Sequence, residues 1–234
     1  RTPGRLTLRA MADAREVSKA LSTRAPEVAG GVLRQLLETA INGTGLVPGA
    51  KATAAGQLVR HPDVEQAIDT LVTAHIAAAS AQGFVTNLGA QATRPVALPA
   101  NLAGVAIVQI RLIASIAHLR GYDIDSACVR TAMTLCLMGH DGVQRLIDDG
   151  VLPHEPRVIA TAPAFDASLE RLISERVFGE LAARIGGRHA AVLLARRIPL
   201  VGGGVGAAMD GMSTLAIGAY ARDQFVSRRR LTRD

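Results

Sequence analysis

Two long segments of this chain are almost uniformly small or apolar, and they limit what it can fold into. The first runs from Leu98 to Gly139 and the second from Ile198 to Phe225, each with a few isolated polar residues. Apolar runs of this length, without strand-like alternation, are typical of buried helices. The sequence therefore predicts an all-α fold, a multi-helix bundle with an apolar interior rich in small residues.

The composition indicates close packing between those helices. Hydrophobic residues make up 49% of the 234 residues, but aromatic residues only 3%, and tryptophan is absent. Ala, Leu, Val, Ile and Gly therefore supply most of the apolar surface, and small side chains let helices approach closely. A chain of this length is predicted to form a single helical domain over residues 1–234, with the proline-rich segment 151–164 as the best internal boundary.

Helix start and stop signals recur along the chain. Pro26 and Pro62 stand where first helical turns would begin, and Asn42-Gly43 and Gly83 stand where the following helices would end. A long amphipathic helix is predicted to end at Gly186-Gly187. Loops are expected at residues 42–49, 92–98 and 151–164.

The formal net charge is +6, and basic residues concentrate toward the two ends. Basic ends around an apolar middle suit an anionic membrane surface, and solvated ends that keep the protein in solution explain the pattern equally well. Nucleic acid is not expected as a partner, because the basic ends carry little aromatic interleaving and no binding motif. The basic residues concerned are Arg1, Arg5, Arg9, Arg15, Lys19, Arg24, Arg222, Arg228, Arg229, Arg230 and Arg233.

Cys128 and Cys136 are the only cysteines, and their spacing within one predicted helix separates them by about two turns. That separation is too long for a disulfide between them. Two reduced core cysteines fit a cytoplasmic location.

Two segments are candidates for entering a membrane. Residues 70–93 carry no charged residue and are long enough to span a bilayer by length alone. Their several polar residues and the predicted break at Gly83 favour a buried or membrane-surface helix pair. Residues 198–221 are interrupted by Asp210 and begin with Pro199 and three nearby glycines, so a buried bundle helix is the simpler interpretation and a segment that dips into the membrane is the alternative.

The helix predicted to begin near Pro99 carries polar residues on two nearly opposite faces. At about 100° per residue, Arg111 and His118 share one face and Gln109 lies on the other. If such a helix is surrounded by others, each polar side chain either bonds a neighbour in the core or contacts a ligand. Gln109, Arg111 and His118 are therefore candidate ligand-binding residues.

Asp210 is the fourth candidate, because a carboxylate in so apolar a run is costly to bury alone. One interpretation pairs it with Arg111, Arg120 or Arg222 as a structural ion pair. A second makes it an acid in a functional site, and a third leaves it exposed.

Signatures of several other kinds of site are missing from the sequence. The histidines are scattered without HExxH or Cys-His ligand spacing, so no metal site is expected. The glycine run 202–206 lacks the Gly-Lys-Ser/Thr of a phosphate loop, and no serine lies in a GxSxG elbow. No cofactor is expected.

Several stretches match the pattern of a known family. Gln109 to Ala117 followed by Gly121 to Asp125 matches an apolar helix and its turn, and Ile198 to Gly204 followed by Ala207 to Asp210 matches a proline-glycine start of a helix of small residues. On these residues the chain resembles the EcsC family of bacterial proteins, over roughly residues 60–226. It departs from the family at Arg120, where a tyrosine is expected, and at Asp210, where an asparagine is expected.

The resemblance implies no defined reaction, because the family has no settled biochemical activity and is named for an association with an ABC transporter operon. It implies a cytoplasmic, membrane-peripheral accessory protein that binds a membrane, a membrane protein or a lipid or other hydrophobic ligand. The alternative is an enzyme that acts on a lipid or other apolar substrate, with Arg111, His118 and Asp210 converging on a pocket. Convergence of these residues would favour the enzyme, whereas a dry core with only paired polar groups would favour the accessory protein.

Overall fold

A computed structural model describes residues 30–45, 47–89, 100–164, 166–180 and 199–228 of the chain. Within these ranges the chain is helical apart from one small antiparallel hairpin, β1 (Gly43–Thr44) with β2 (Val47–Pro48). The predicted all-α multi-helix bundle is therefore confirmed. The helices are α1 (30–42), α2 (Ala50–Arg60), α3 (Val64–Gly89), α4 (Ala100–Leu119), α5 (Ala127–Cys136), α6 (Gly139–Asp148), α7 (Pro156–Ala160), α8 (167–180) and α9 (Pro199–Gln224).

The glycines predicted to end two helices behave differently. Gly43 ends α1 with a φ of 81°, a left-handed conformation that favours glycine, so this prediction is confirmed. The predicted end at Gly83 is wrong, because α3 continues to Gly89. A glycine inside a helix costs only about 1 kcal/mol relative to alanine, and the helical turns on both sides of Gly83 outweigh that cost.

The segment 151–164 was expected as a loop, and it contains the short helix α7. Pro156 occupies the first turn of α7, where its missing N–H is not needed. Leu152 and Ile159 join the hydrophobic core, and the backbone N–H of Arg157 donates to Gln224 Oε1 at 3.1 Å. The segment thus packs against the end of α9. The loop expected at 92–98 and the helix end expected at 186–187 lie outside the described residues.

Helices α3 and α9 run antiparallel and pack through small residues. Ser80 lies beside Gly211, and Val72 lies beside Gly218. A Cβ on Gly211 would come within 2.5 Å of Ser80 Oγ, and one on Gly218 within 3.0 Å of Leu112 Cδ2. The predicted close approach of helices through small side chains is seen at both positions.

Helix α4 lies parallel to α9 and covers one side of the α3–α9 pair. Gln109 contacts α9 near its middle, and the Arg120 guanidinium reaches the carbonyls at the end of α9. Below Gln109 the interior is apolar, with Leu112, Ile113 and Ile116 fully buried. Helix α2 packs against α4 and α3. Helices α5, α6 and α7 pack at the end of the core where α9 ends.

Candidate functional site

Gln109 is buried, with 2% of its surface exposed. Its Nε2 donates to Ser213 Oγ at 2.7 Å and to Thr214 Oγ1 at 3.2 Å. These bonds join α4 to α9, and they satisfy the buried amide nitrogen inside the protein. Gln109 thus has the hydrogen-bonded core arrangement, which leaves this nitrogen engaged rather than directed at a ligand.

Asp210 is 1% exposed and lies about one helical turn before Ser213 and Thr214, the partners of Gln109. The hydroxyl of Thr214, which accepts from Gln109, donates to the backbone carbonyl of Asp210 at 2.7 Å. Two of the arginines proposed as partners of Asp210 are engaged elsewhere. Arg120 Nη2 lies 2.7 Å from Glu65 Oε2, and Arg222 pairs with Glu65 and with Asp69.

Arg111 lies on the side of α4 away from Gln109, and it is half-buried. Within the described residues its buried Nε makes no hydrogen bond, and burial lowers the pKa of the guanidinium. His75 on α3 lies near it, with Nδ1 donating to Leu71 O at 2.8 Å. Burial lowers the pKa of His75, the carbonyl of Leu71 raises it by a smaller amount, and the charge of Arg111 lowers it further.

Together these residues form a polar layer across α3, α4 and α9. We define the polar layer as His75, Gln109, Arg111, Asp210, Ser213 and Thr214. Ser213 and Thr214 follow Asp210 by about one helical turn, a spacing visible in the sequence. No sequence signal indicated His75, because its neighbourhood depends on how α3 docks against α4.

His118 lies apart from the polar layer. It follows Arg111 by seven residues, which places it about 10 Å further along the axis of α4. Its charge acts instead on Asp125, whose pKa is lowered mainly by the hydrogen bond from Lys51 and also by Arg130 and His118. Gln109 therefore contacts α9 about one helical turn from Asp210, and Arg111 lies near His75, whereas His118 lies about two turns further along α4.

A shallow cleft between α1, α5 and α8 encloses about 400 Å³, including solvent at its mouth. None of the four predicted site residues lines it. Its polar groups are largely satisfied within the protein, since Arg130 pairs with Glu38 and the Thr131 and Thr134 hydroxyls donate to backbone carbonyls. The cleft also includes Arg34 and Glu170, whose opposite charges do not select an anion or a cation.

An exposed apolar surface covers the side of α3 and α9 that faces away from α4. Met212 is 72% exposed, Leu215 51% and Met209 43%. Thr73 on α3 is also exposed, and its hydroxyl donates to Asp69 O at 3.0 Å. We define the apolar face as Ala74, Ala77, Ala78, Ala81, Ala208, Met209, Met212, Leu215, Ala216 and Ala219, all of them exposed.

Charged residues of α3 and α9 collect at one end of this surface. The antiparallel packing brings the start of α3 beside the end of α9, where Arg222 Nη2 lies 3.1 Å from Glu65 Oε2 and Arg222 Nη1 lies 2.5 Å from Asp69 Oδ1. Beyond Asp69 the sequence of α3 has no charged residue. Before Arg222 the only charged residue of α9 is the buried Asp210. We define the charged end as Glu65, Asp69, Arg120, Arg222 and Asp223.

Two kinds of feature are absent from the described residues. Across these ranges no group of three or more His, Cys, Asp or Glu side chains is placed to hold a metal ion. None of the helices in the described part of the chain has the length and hydropathy needed to cross a bilayer.

Comparison of the chain with protein-family models, with curated proteins and with solved structures finds no match. The α3–α4–α9 unit has two features that bear on function, its polar layer and its exposed apolar face. In the polar layer, hydrogen bonds join Gln109 to Ser213 and Thr214, whereas the side chains of the apolar face are exposed.

Proposed function

We propose that the protein is a membrane-peripheral accessory protein that binds the surface of an anionic lipid bilayer. The observation that carries this proposal is the apolar face, where Met209, Met212 and Leu215 stand exposed among alanines. The largest exposed apolar patch of a monomeric protein, commonly about 300–600 Å², is often functional, and contact with a membrane is one such function.

The strength expected of such a surface fits reversible attachment. Full burial of a Met or Leu side chain contributes about 1.5–3 kcal/mol, and part of each side chain is already covered in the protein. A single apolar signal of this size gives marginal membrane binding, and a second, electrostatic signal makes it stable. The basic residues near both ends of the sequence supply that signal, at about 1 kcal/mol for each arginine near an anionic surface.

The size of the apolar face favours a bilayer over a second copy of the chain. Its exposed residues extend over about 16 Å of α9 and across two helix widths, which corresponds to roughly 300 Å². A stable protein interface buries about 800 Å² on each partner, well above this area. Insertion into a bilayer has no such minimum area, so a narrow face of this kind is sufficient.

The resemblance to the EcsC family, with its ABC transporter association, agrees with an accessory role at a membrane. A cytoplasmic location is part of the proposal, and the free cysteines Cys128 and Cys136 are compatible with it. The alternative of an enzyme required Arg111, His118 and Asp210 to converge on a pocket. His118 lies about 10 Å along α4 from Arg111, so this alternative requires a pocket that spans about two helical turns.

Sedimentation with lipid vesicles tests the proposal. We expect the protein to sediment about tenfold or more strongly with vesicles that contain phosphatidylglycerol than with pure phosphatidylcholine vesicles, and high salt to reduce the difference. Equal binding to both kinds of vesicle, or binding to neither, would contradict the proposal.

A further inference from the structure

We propose an orientation for the bound protein, which rests on the membrane-binding function proposed above. The apolar face enters the acyl region of the bilayer at a tilt, so that its Ala208 end lies deeper than its Ala219 end. The charged end stays hydrated at the level of the lipid headgroups, where its basic residues remain near the anionic surface, and it limits the depth of insertion.

The distribution of charge along α3 and α9 carries this inference. Glu65 and Asp69 are the only charged residues of α3, and they lie in its first two turns. Arg222 and Asp223 lie in the last turn of α9. Because the two helices are antiparallel, all four residues meet at one end, and the other end of the pair has no exposed charged residue among those described.

The side on which Asp223 lies excludes a flat orientation. Asp223 follows Met212 by about three helical turns, so both side chains point to the same side of α9, and both are exposed. If α9 lay flat, inserting Met212 would press the carboxylate of Asp223 into the bilayer. Burying an unpaired carboxylate costs more than one apolar side chain contributes. A tilt lets Met212 enter while Asp223 stays hydrated.

The ion pairs at the charged end must also stay in contact with water. The side chains of Arg222, Asp69 and Glu65 are 33%, 64% and 49% exposed, so water solvates them in the free protein. Moving these pairs into the bilayer would remove that solvation, and the desolvation cost of an ion pair can exceed its Coulombic attraction. The ion pairs therefore resist immersion as a group.

The length of α9 makes the tilt geometrically sufficient. Ala208 and Asp223 are separated by about 22 Å along the helix axis, whereas interfacial helices enter only about 5–10 Å below the headgroups. A moderate tilt therefore places Ala208 among the acyl chains and leaves Asp223 above the headgroup boundary.

Environment-sensitive labels at single cysteines test this orientation. The background is Cys128→Ser with Cys136→Ala, and the label is attached in turn to Ala208→Cys, Ala219→Cys, Asp223→Cys and the control Val59→Cys on α2. Each labelled protein is mixed with phosphatidylglycerol-containing vesicles, with and without bromine on the acyl chains. We expect emission to rise about twofold or more at position 208, less at 219, and to stay unchanged at 223 and 59. Quenching by brominated lipid should follow the same order.

The possible results separate the orientation from the proposed function. Vesicle binding with equal responses at positions 208 and 223, or with the strongest response at 59, would overturn the orientation and leave membrane binding standing. Absence of both sedimentation and label response would overturn both. A response at 208 that rises with protein concentration without vesicles would identify a second copy of the chain as the occupant, and would also overturn both.

Discussion

Single polar residues inside this bundle depend on neighbours from other helices. Gln109 bonds Ser213, 104 residues away in the sequence, and Ser115 Oγ donates to Ala50 O at 3.2 Å. The sequence indicated that Gln109 would need a partner, because it lies in an apolar helix. The identity of the partner was not predictable, since it depends on the parallel docking of α4 against α9.

His75 provides a test of burial at the scale of one residue. Burial holds the pKa of its imidazole below the ordinary value of about 6.5, and the nearby Arg111 adds to that effect. In the unfolded chain His75 regains the ordinary pKa, so below about pH 6.5 the unfolded state binds more protons than the folded state. Burial of His75 therefore does not reduce the stability of the fold above about pH 6.5. As the pH falls from there toward the lower pKa of the folded state, protonation of the unfolded chain reduces the stability.

Urea unfolding across the range from about pH 7.5 to about pH 5 measures this dependence. We expect His75→Leu to lose less stability on acidification than the parent protein, because the protonatable ring is gone. His154→Gln, at an exposed histidine, is the matched control and should follow the parent. Parallel profiles for His75→Leu and the parent would show that His75 does not resist protonation.

At the scale of helices, local sequence signals placed some boundaries and missed others. Pro62 and the run after Pro99 predicted the starts of α3 and α4 well, because proline and apolar periodicity act locally. The helix end predicted at Gly83 was wrong, because the cost of one glycine is small compared with the stability of a long packed helix. The partners of α9 were not predictable, because a helix of small residues can pack against many surfaces.

The contact between α3 and α9 depends on glycine at position 218. A side chain there would meet Leu112 and Val72, so Gly218→Leu should destabilise the fold by about 1–3 kcal/mol through overpacking. Ala219→Leu adds the same side chain at the next residue, which is exposed, and should change stability by about 0.5 kcal/mol or less. Thermal melts of the two variants measure this difference in stability. Equal melting temperatures would mean that neither Leu112 of α4 nor Val72 of α3 packs closely against Gly218.

At the scale of the whole molecule, the sequence predicted the fold class. The all-α fold followed from apolar runs and helix punctuation, both of which are visible locally. The membrane hypothesis began from basic residues near both ends, and most of these lie outside the described residues. The apolar face was not predicted, because it requires the exposed sides of α3 and α9 to lie next to each other.

The central claim is that the apolar face, rather than any exposed apolar residue, brings the protein to a membrane. Two variants with the same charge change separate these possibilities, Met212→Glu on the face and Val59→Glu on α2, where Val59 is 85% exposed. Both sites are exposed helical positions, so both variants should fold and melt like the parent.

The deciding measurement is the affinity of these two variants and of the parent for phosphatidylglycerol-containing vesicles at one salt concentration. We expect Met212→Glu to weaken binding by about tenfold or more, equivalent to about 1.4 kcal/mol, because a charge replaces an inserted side chain. Val59→Glu should bind within about twofold of the parent, since its added charge stays in the water and is screened. Equal losses in both variants would mean that net charge alone drives binding, and unchanged binding of Met212→Glu would mean that the apolar face does not contact the bilayer.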